Sequence, residues 1–255
     1  MVDCSLVRLL SRSACGTILA LGIPSSGLGQ ENAAAIFSVP FVGCRSDGQV
    51  GPVEVPKATS IELRVSSNEA QHLAYYKSGV LDTGVLAPRG WHCFAVYGSG
   101  GASLLVIPQP VESIWSAEWD HVAGPAIEVN VDDGDTSGRY TVAEIIGRVF
   151  PAFRDYAKRV LEDIDGTLPS GPYSADVLSY RSKTVVEYKT PAEKDGLGTR
   201  LRLQRSPRPI EGVAVLFGQP PSLLQLAMRL PNDSEGLASA IIAQFERDAS
   251  SLIHN

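Results

Sequence analysis

Most short motifs that identify an enzyme from its sequence are absent from this chain. It has no phosphate-binding G-x-x-x-x-G-K-[ST] loop, no H-E-x-x-H or C-x-x-C metal motif, and no G-x-S-x-G nucleophile elbow. The glycine-rich stretch Gly98–Ser103 (GSGGAS) lacks the third glycine of a dinucleotide loop and precedes a predicted strand, where that loop requires a helix. We therefore predict a hairpin turn there and no nucleotide site.

Long apolar runs and excess positive charge are also absent. No segment approaches the roughly 20 apolar residues that a membrane-spanning helix needs. The 255 residues carry 22 Lys and Arg against 28 Asp and Glu, a formal charge of −6. We expect a soluble globular chain with no membrane span and no nucleic-acid partner.

The N-terminus has the order of a secretory signal. Arg8 and Arg12 flank a short basic start, the apolar run Ala14–Ile23 follows, and the turn-forming sequence PSSGLG comes next. A charged region, a short apolar region and a small-residue cleavage site are typical of signal peptides. We interpret residues 1–29 as a signal peptide and predict a periplasmic or secreted protein. A buried N-terminal helix or strand is the alternative.

Cysteine is scarce, and export changes how its four copies are counted. Removal of residues 1–29 takes away Cys4 and Cys15 and leaves Cys44 and Cys93. An even pair in an oxidising compartment favours a disulfide bond. We therefore predict a Cys44–Cys93 disulfide that joins two strands.

A catalytic role for Cys93 is the competing interpretation. Thiol-dependent hydrolases and transferases pair a cysteine nucleophile with a histidine base. His92 is a poor base for its neighbour on a strand, because adjacent side chains point to opposite faces. His121 is the better base, and Asp120 beside it would orient the imidazole.

The hydrophobic pattern predicts an α+β fold. Residues 30–135 show short alternating strands and turns, with a short helix expected over SSNEAQHLAYYKSG and capped at Ser67. Residues 136–255 predict a central helix interrupted at Pro151, a run of antiparallel strands that includes TRLRLQRSP, and a C-terminal helix. We expect antiparallel sheet packed against the central and C-terminal helices, in two halves that need not be separate domains.

The acidic turn DGDTSGRYTVAE fits a calcium-binding loop. Against the pattern D-x-[DN]-x-[DN]-G-x5-E, oxygen ligands fall at the required positions. The candidate ligands are Asp133, Asp135, Ser137, the Arg139 carbonyl and Glu144. A strand-like segment precedes the turn, which excludes a paired EF-hand, so any calcium would be structural.

The same segment, DGDTSGRYTVAE, also fits the start of a helix that binds no metal. Thr141-Val-Ala-Glu144 matches a capping box, in which the Thr141 hydroxyl caps the helix and Glu144 returns to the Thr141 amide. In this interpretation the chain has no cofactor.

Charge is unevenly distributed along the chain. Residues 112–135 hold seven acids and no Lys or Arg, whereas residues 177–210 hold eight basic residues against three acids. Arg200 and Arg202 would share one face of a strand. The basic segment is either a docking face for an anionic partner or a solvated surface that pairs with acids.

Two stretches resemble those of known proteins. VGCRSDGQVGP and APRGWHCF are similar to segments of exported bacterial proteins of unknown function. The resemblance implies export and no particular activity. Together these features favour an exported, non-catalytic domain that binds a small ligand or an envelope partner, with the Cys93–His121 enzyme as the alternative.

Overall fold

The structure is a computed structural model that describes residues 34–113 and 120–253; the signal peptide predicted over residues 1–29 lies outside them. In these residues eleven strands form one sheet: β1 (Ala35–Gly48), β2 (Ser60–Val65), β3 (Leu73–Ser78), β4 (Val85–Pro88), β5 (His92–Gly98), β6 (Gly101–Ile107), β7 (Ala126–Asp132), β8 (Val177–Tyr180), β9 (Val185–Thr190), β10 (Ile210–Phe217) and β11 (Ser222–Arg229). The strand order is β4-β3-β1-β5-β6-β7-β11-β10-β9-β8, and β2 pairs with β1.

Four α-helices accompany the sheet in the described residues. They are α1 (Ser67–His72), α2 (Arg139–Val149), α3 (Arg154–Glu162) and α4 (Ala238–Ile253). The break at Pro151 that the sequence predicts is confirmed, because a single 3-10 turn, Pro151–Phe153, separates α2 from α3. No helix in the described ranges is long and apolar enough to cross a membrane.

The mixed α and β composition and the C-terminal helix are confirmed, and the sheet is mostly antiparallel. The exception is β1, which runs parallel to both β3 and β5. This long strand changes partner along its length: Ala35–Pro40 pairs with β2, 41–44 with β3 and 45–48 with β5. Pro40 lies where the partner changes, as expected for a residue that donates no backbone hydrogen bond to a ladder. The sheet runs through both halves of the chain because β7 pairs with β11.

One face of the sheet is apolar and packs against α4. Leu104, Val129, Leu226 and Val213 are directly opposite one another on four neighbouring strands, and all four are buried. They belong to one core that also contains the buried face of α4 and residues of β3, β4 and α1. This core therefore fixes the position of α1 and of the β3–β4 hairpin relative to the main sheet.

The opposite face carries α2, α3 and a layer of polar side chains. Two separate apolar cores form on it, one beneath the two helices and one beneath the segment around Leu203. Buried polar residues lie among them on the strands: Ser103, Glu128, Tyr188, Thr190, Gln225 and Arg229. We call this set the polar layer.

The polar layer holds the irregular chain between β9 and β10. Glu128 is fully buried and accepts hydrogen bonds from the Arg202 guanidinium at 2.6 Å and the Arg202 backbone N–H at 2.8 Å. Ser103 donates to Glu128 at 2.8 Å and accepts from Arg202 at 3.0 Å. Every polar atom of the Glu128 carboxylate thus has a partner, which is the condition under which a buried charge is tolerated.

Two further contacts of the polar layer support the same chain segment. Gln225 donates to Tyr188 Oη at 3.0 Å and to the Leu197 carbonyl at 3.3 Å. The Tyr188 ring reaches this point because it lies over Gly212, where an added Cβ would stand 2.6 Å from the ring. Arg229 donates to the carbonyls of Val122, Ala123, Gly124 and Gln204.

The prediction of a helix over residues 66–79 is wrong in its second half. Ser66, not Ser67, is the N-cap, with a complete capping box to Glu69, and α1 ends at His72. Leu73–Ser78 is instead the central strand β3, bonded to β1 on one side and β4 on the other. Burial on both faces of a sheet outweighs the helical spacing of Ala70, Leu73 and Ala74.

The strand predicted over TRLRLQRSP is also wrong. A 3-10 turn occupies Leu197–Thr199, and the only β-contact within residues 200–208 is an isolated parallel bridge from Leu203 to Val122. Arg200 and Arg202 follow this irregular path because each reaches a carboxylate on another element, Glu144 and Glu128. The capping box at Thr141 is wrong as well, because α2 begins at Arg139 after the N-cap Gly138.

The predicted disulfide is confirmed. Cys44 and Cys93 lie on the adjacent parallel strands β1 and β5, with Cα atoms 5.4 Å apart and an S–S distance of 2.03 Å. The bond crosses the point where β1 leaves β3 and begins to pair with β5. The predicted hairpin of β5 and β6 is confirmed too, with the turn at Ser99 and Gly100.

We expect Arg202→Ala to destabilise the fold by about 3–5 kcal/mol, because it leaves the Glu128 carboxylate buried without a compensating charge. Urea unfolding followed by circular dichroism measures this difference. Arg205→Ala is the matched control, because the Arg205–Asp195 pair has side chains that are 59% and 67% exposed. Its loss should cost less than about 1 kcal/mol. Equal stabilities of the two variants would contradict the role assigned to the buried pair.

Loss of the disulfide should also be measurable. With a sequence separation of 49, the loop-entropy relation gives a contribution of about 4 kcal/mol. The Cys44→Ala/Cys93→Ala variant should therefore unfold at lower urea concentration than the oxidised protein. Reductant should lower the midpoint of the wild type and leave the variant unchanged. A variant as stable as the oxidised protein would show that the bond does not restrain the fold.

Candidate functional site

The residues of the predicted calcium loop form a turn that leads into helix α2. Helix α2 begins at Arg139, so the second half of the loop is already helical. Glu144 lies in the second turn of that helix and pairs with Arg200 at 2.5 Å. No group of three or more His, Cys, Asp or Glu in the described ranges is arranged to hold a metal ion. Asp133, Asp135 and Ser137 precede the helix as a turn.

The predicted enzyme residues are in contrasting surroundings. Cys93 is half-buried on β5, and its sulfur is bonded to Cys44, so it has no thiolate in this oxidised form. Asp120 and His121 are exposed and begin the chain segment that leads to β7. A thiol-dependent mechanism with these residues would require reduction of the disulfide first.

The basic segment 177–210 is largely neutralised by ion pairs. Six of its eight basic side chains contact a carboxylate within 4 Å: Arg181, Lys189, Arg200, Arg202, Arg205 and Arg208. Only one acceptor, Glu128, comes from the acidic segment 112–135. This pairing favours the interpretation of a solvated surface over that of an anion-docking face.

A groove of about 560 Å³ lies where α1, the β4–β5 turn and the segment before α4 meet. Its volume is within the range of small-molecule sites, roughly 300–1,000 Å³. The apolar lining is buried or half-buried and consists of Pro88, Trp91, Pro231 and Leu237. We call this the Trp91 groove.

Helix α1 supplies three polar side chains to the Trp91 groove. Asn68, Gln71 and His72 are exposed and stand at i, i+3 and i+4, so they share one face of the helix. His72 Nδ1 lies 2.8 Å from the Asn68 backbone carbonyl, which can only accept, so Nδ1 donates this bond, and in the neutral imidazole Nε2 is an acceptor. The side-chain amides of Asn68 and Gln71 make no hydrogen bond within the described residues.

The β4–β5 turn holds Trp91 in place. Gly90 has φ +81°, a left-handed conformation that favours glycine. Tyr76 accepts a hydrogen bond from the Trp91 backbone N–H at 3.1 Å and donates to the Pro88 carbonyl at 2.8 Å. Burial raises the pKa of Tyr76 to about 12, so the phenol keeps its proton. Two residues later, the disulfide at Cys93 anchors the same strand.

Two charged side chains complete the rim. Arg89 Nε donates to the Leu73 carbonyl at 3.1 Å, and Nη2 donates to the Ala70 carbonyl, which fastens the turn to α1. On the other side, Asp233 Oδ1 accepts from Ser234 Oγ at 3.0 Å, and both residues line the groove. Arg89 and Asp233 give the groove one positive and one negative charge.

A second, smaller cleft of about 290 Å³ lies beside the β5–β6 turn. Asp132 at its edge accepts a hydrogen bond from Asn130 at 2.8 Å. Burial, and then repulsion from the Asp133 carboxylate, raises the pKa of Asp132 to about 7, while Arg200 and Asn130 oppose the increase. Burial also raises the pKa of Asp133, with further contributions from Asp135 and Asp82.

The sequence draws attention to RGWHC through its cysteine and not through Trp91, which the structure places in the groove. The i, i+3, i+4 spacing of Asn68, Gln71 and His72 is visible in the sequence, but the pattern there predicts a longer helix with an apolar face. Pro231 and Asp233 are more than 130 residues from Trp91 in the chain. Only the packing of α4 against the sheet brings them together.

The raised pKa of Asp132 predicts a pH-dependent stability. Between pH 4 and 7 the folded state binds a proton at Asp132 that the unfolded chain, with its ordinary pKa of 3.8, has lost. The free energy of unfolding therefore falls as pH rises through this window. Asp132→Asn removes the titrating carboxyl group. The free energy of unfolding of this variant, relative to that of the wild type, should therefore increase from pH 5 to pH 8 in urea titrations. Asp120→Asn, at an exposed carboxylate, is the control. A constant difference for Asp132→Asn across the window would contradict the assignment.

Comparison with known proteins adds no family to this geometry. No protein-family model, curated protein or solved structure matches the chain. The Trp91 groove, the Asp132 cleft and the disulfide are therefore the features that support a functional proposal.

Proposed function

We propose that this chain is an exported, non-catalytic binding domain and that the Trp91 groove is its ligand site. The observation that carries the proposal is a concave groove in which a half-buried tryptophan lies beside two side-chain amides, Asn68 and Gln71, that make no hydrogen bond within the described residues. Small-molecule sites have this anatomy: apolar walls exclude water while a few polar groups orient the ligand.

The surroundings of the Trp91 groove support binding by a preformed site. Tyr76, Arg89 and the disulfide fix the β4–β5 turn from three directions. The capping box of Ser66 and Glu69 fixes the start of α1, with hydrogen bonds of 2.6 and 3.2 Å. Because these groups are held before any ligand arrives, little conformational entropy is lost on binding.

Export is supported by two independent features. Residues 1–29 have the order of a signal peptide. The Cys44–Cys93 disulfide is of the kind that persists in oxidising compartments. In the periplasm or outside the cell, the Trp91 groove would meet soluble ligands or exposed parts of an envelope partner.

Saturation-transfer NMR with a library of uncharged polar fragments tests this site. We expect fragments that bind the wild type to lose at least about tenfold in affinity to Trp91→Ala, because truncation of an aromatic side chain at the centre of a binding site typically costs about 2 kcal/mol or more. Tyr180→Ala is the matched control, since Tyr180 is 53% exposed on the edge strand β8.

A second pair of variants changes exposed side chains, so that a loss of affinity can be told from a loss of folding. Gln71→Ala removes a groove amide at an exposed helix position and should weaken the same fragments. Gln49→Ala removes an exposed amide from a turn outside the groove and should not. Fragments that bind all variants equally, or the absence of any bound fragment, would rule out the Trp91 groove as the site.

A further inference from the structure

The Trp91 groove combines an apolar floor with a rim of planar polar groups. Trp91, Pro88 and Leu237 supply the floor. Two carboxamides, an imidazole and a guanidinium surround it, from Asn68, Gln71, His72 and Arg89. A ligand that fills this space must offer an apolar face to the tryptophan and hydrogen-bonding groups along its edges.

The polar groups on the rim of the groove include both hydrogen-bond donors and hydrogen-bond acceptors that are not used within the described residues. The amides of Asn68 and Gln71 each offer two N–H donors and a carbonyl acceptor, and the neutral His72 imidazole adds an acceptor at Nε2. Hydroxyl groups both donate and accept, so neighbouring hydroxyls match such pairs of planar groups. A ligand that only donates or only accepts would leave half of these groups unpaired, at a cost in affinity.

The charge of the groove favours an uncharged ligand. Arg89 and Asp233 oppose each other in sign, and two of the Arg89 nitrogens are already engaged by backbone carbonyls of the α1–β3 segment. A charged ligand would meet one like charge for each opposite one. Electrostatics therefore supplies no net attraction for an anion or a cation.

We infer that the Trp91 groove binds a neutral saccharide, with one sugar ring stacked on Trp91 and its hydroxyls bonded to Asn68, Gln71 and His72. The inference rests on the proposed function and specifies its ligand class. A pyranose ring has an aliphatic C–H face that packs on an indole and an edge of hydroxyls that reaches the rim. The volume of about 560 Å³ accommodates a short oligosaccharide.

A proline-rich peptide is the main competitor for a tryptophan-lined groove. Such peptides dock as extended helices between several aromatic side chains. Trp91 is the one aromatic residue lining this groove in the described part of the chain. A proline-rich backbone also presents acceptors with few donors, which leaves the carbonyls of Asn68 and Gln71 unpaired.

Titrations monitored by two-dimensional ¹H–¹⁵N NMR test the inference. The probes are four neutral tetrasaccharides, composed of β-1,4-glucose, α-1,4-glucose, β-1,4-N-acetylglucosamine and α-mannose, at up to millimolar concentration. A tetrasaccharide containing glucuronate is the charged counterpart, and a proline-rich decapeptide is the competitor. We expect at least one neutral saccharide to shift the Trp91 indole and Gln71 amide signals.

Variants connect the shifts to the groove. Trp91→Ala and Asn68→Ala/Gln71→Ala should each weaken the saccharide by about tenfold or more, whereas Tyr180→Ala and Gln49→Ala should leave its affinity unchanged. The glucuronate-containing saccharide should bind no better than its neutral counterpart. The double variant keeps the test decisive if Trp91→Ala fails to fold.

Three outcomes would overturn the inference in distinguishable ways. If the decapeptide or uncharged fragments shift the groove signals and no saccharide does, the saccharide class is wrong and the binding site stands. If no probe of any class shifts them, both the ligand class and the proposed function fall. If saccharides bind with equal affinity to the groove variants, the ligand is a saccharide but the Trp91 groove is not its site.

Discussion

The buried carboxylate of Glu128 constrains the irregular segment that covers part of one face of the sheet. A full negative charge without access to water must be compensated, and Arg202 and Ser103 compensate it together. Arg202 belongs to a stretch that, apart from one isolated bridge, forms no β-ladder in the described residues. Side-chain hydrogen bonds thus replace ladder hydrogen bonds, and the irregular segment covers the sheet along a defined path. On β11, Gln225 extends the same arrangement to Tyr188 of β9, and Arg229 binds the Gln204 carbonyl of the irregular segment.

The two faces of the sheet therefore have different roles. Apolar burial on the α4 face positions α1, β3 and β4, because their side chains share a core with the main strands. That core ends at the Trp91 groove, where Leu237 and Trp91 are its outermost members on that side. The polar face stabilises the irregular segment and leaves the Asp132 cleft open near the β5–β6 turn. The groove thus lies at the margin of the larger apolar core.

The disulfide is consistent with the oxidising compartment that the N-terminal sequence predicts. It joins β1 to β5 beside the turn that carries Trp91, and it occupies the sulfur that a thiol enzyme would need. A bond at this position restrains the β4–β5 turn and leaves Cys93 without a free thiol in its oxidised form. Binding by a preformed site is consistent with both effects.

The sequence by itself determined the strands with clear alternation, the α2–α3 break at Pro151, the β5–β6 hairpin and the cysteine pair. Each depends on local chemistry or on a count of two cysteines. It did not determine β3 or the path of residues 200–208, because local spacing favoured a helix and a strand. Burial between β1 and β4 makes residues 73–78 the strand β3, and ion pairs with the carboxylates of Glu144 and Glu128 set the path of residues 200–208. The sequence did not determine the Trp91 groove either. Asn68, Trp91 and Asp233 line one groove only when α4 packs on the sheet, since no local interaction can bring together residues so far apart in the chain.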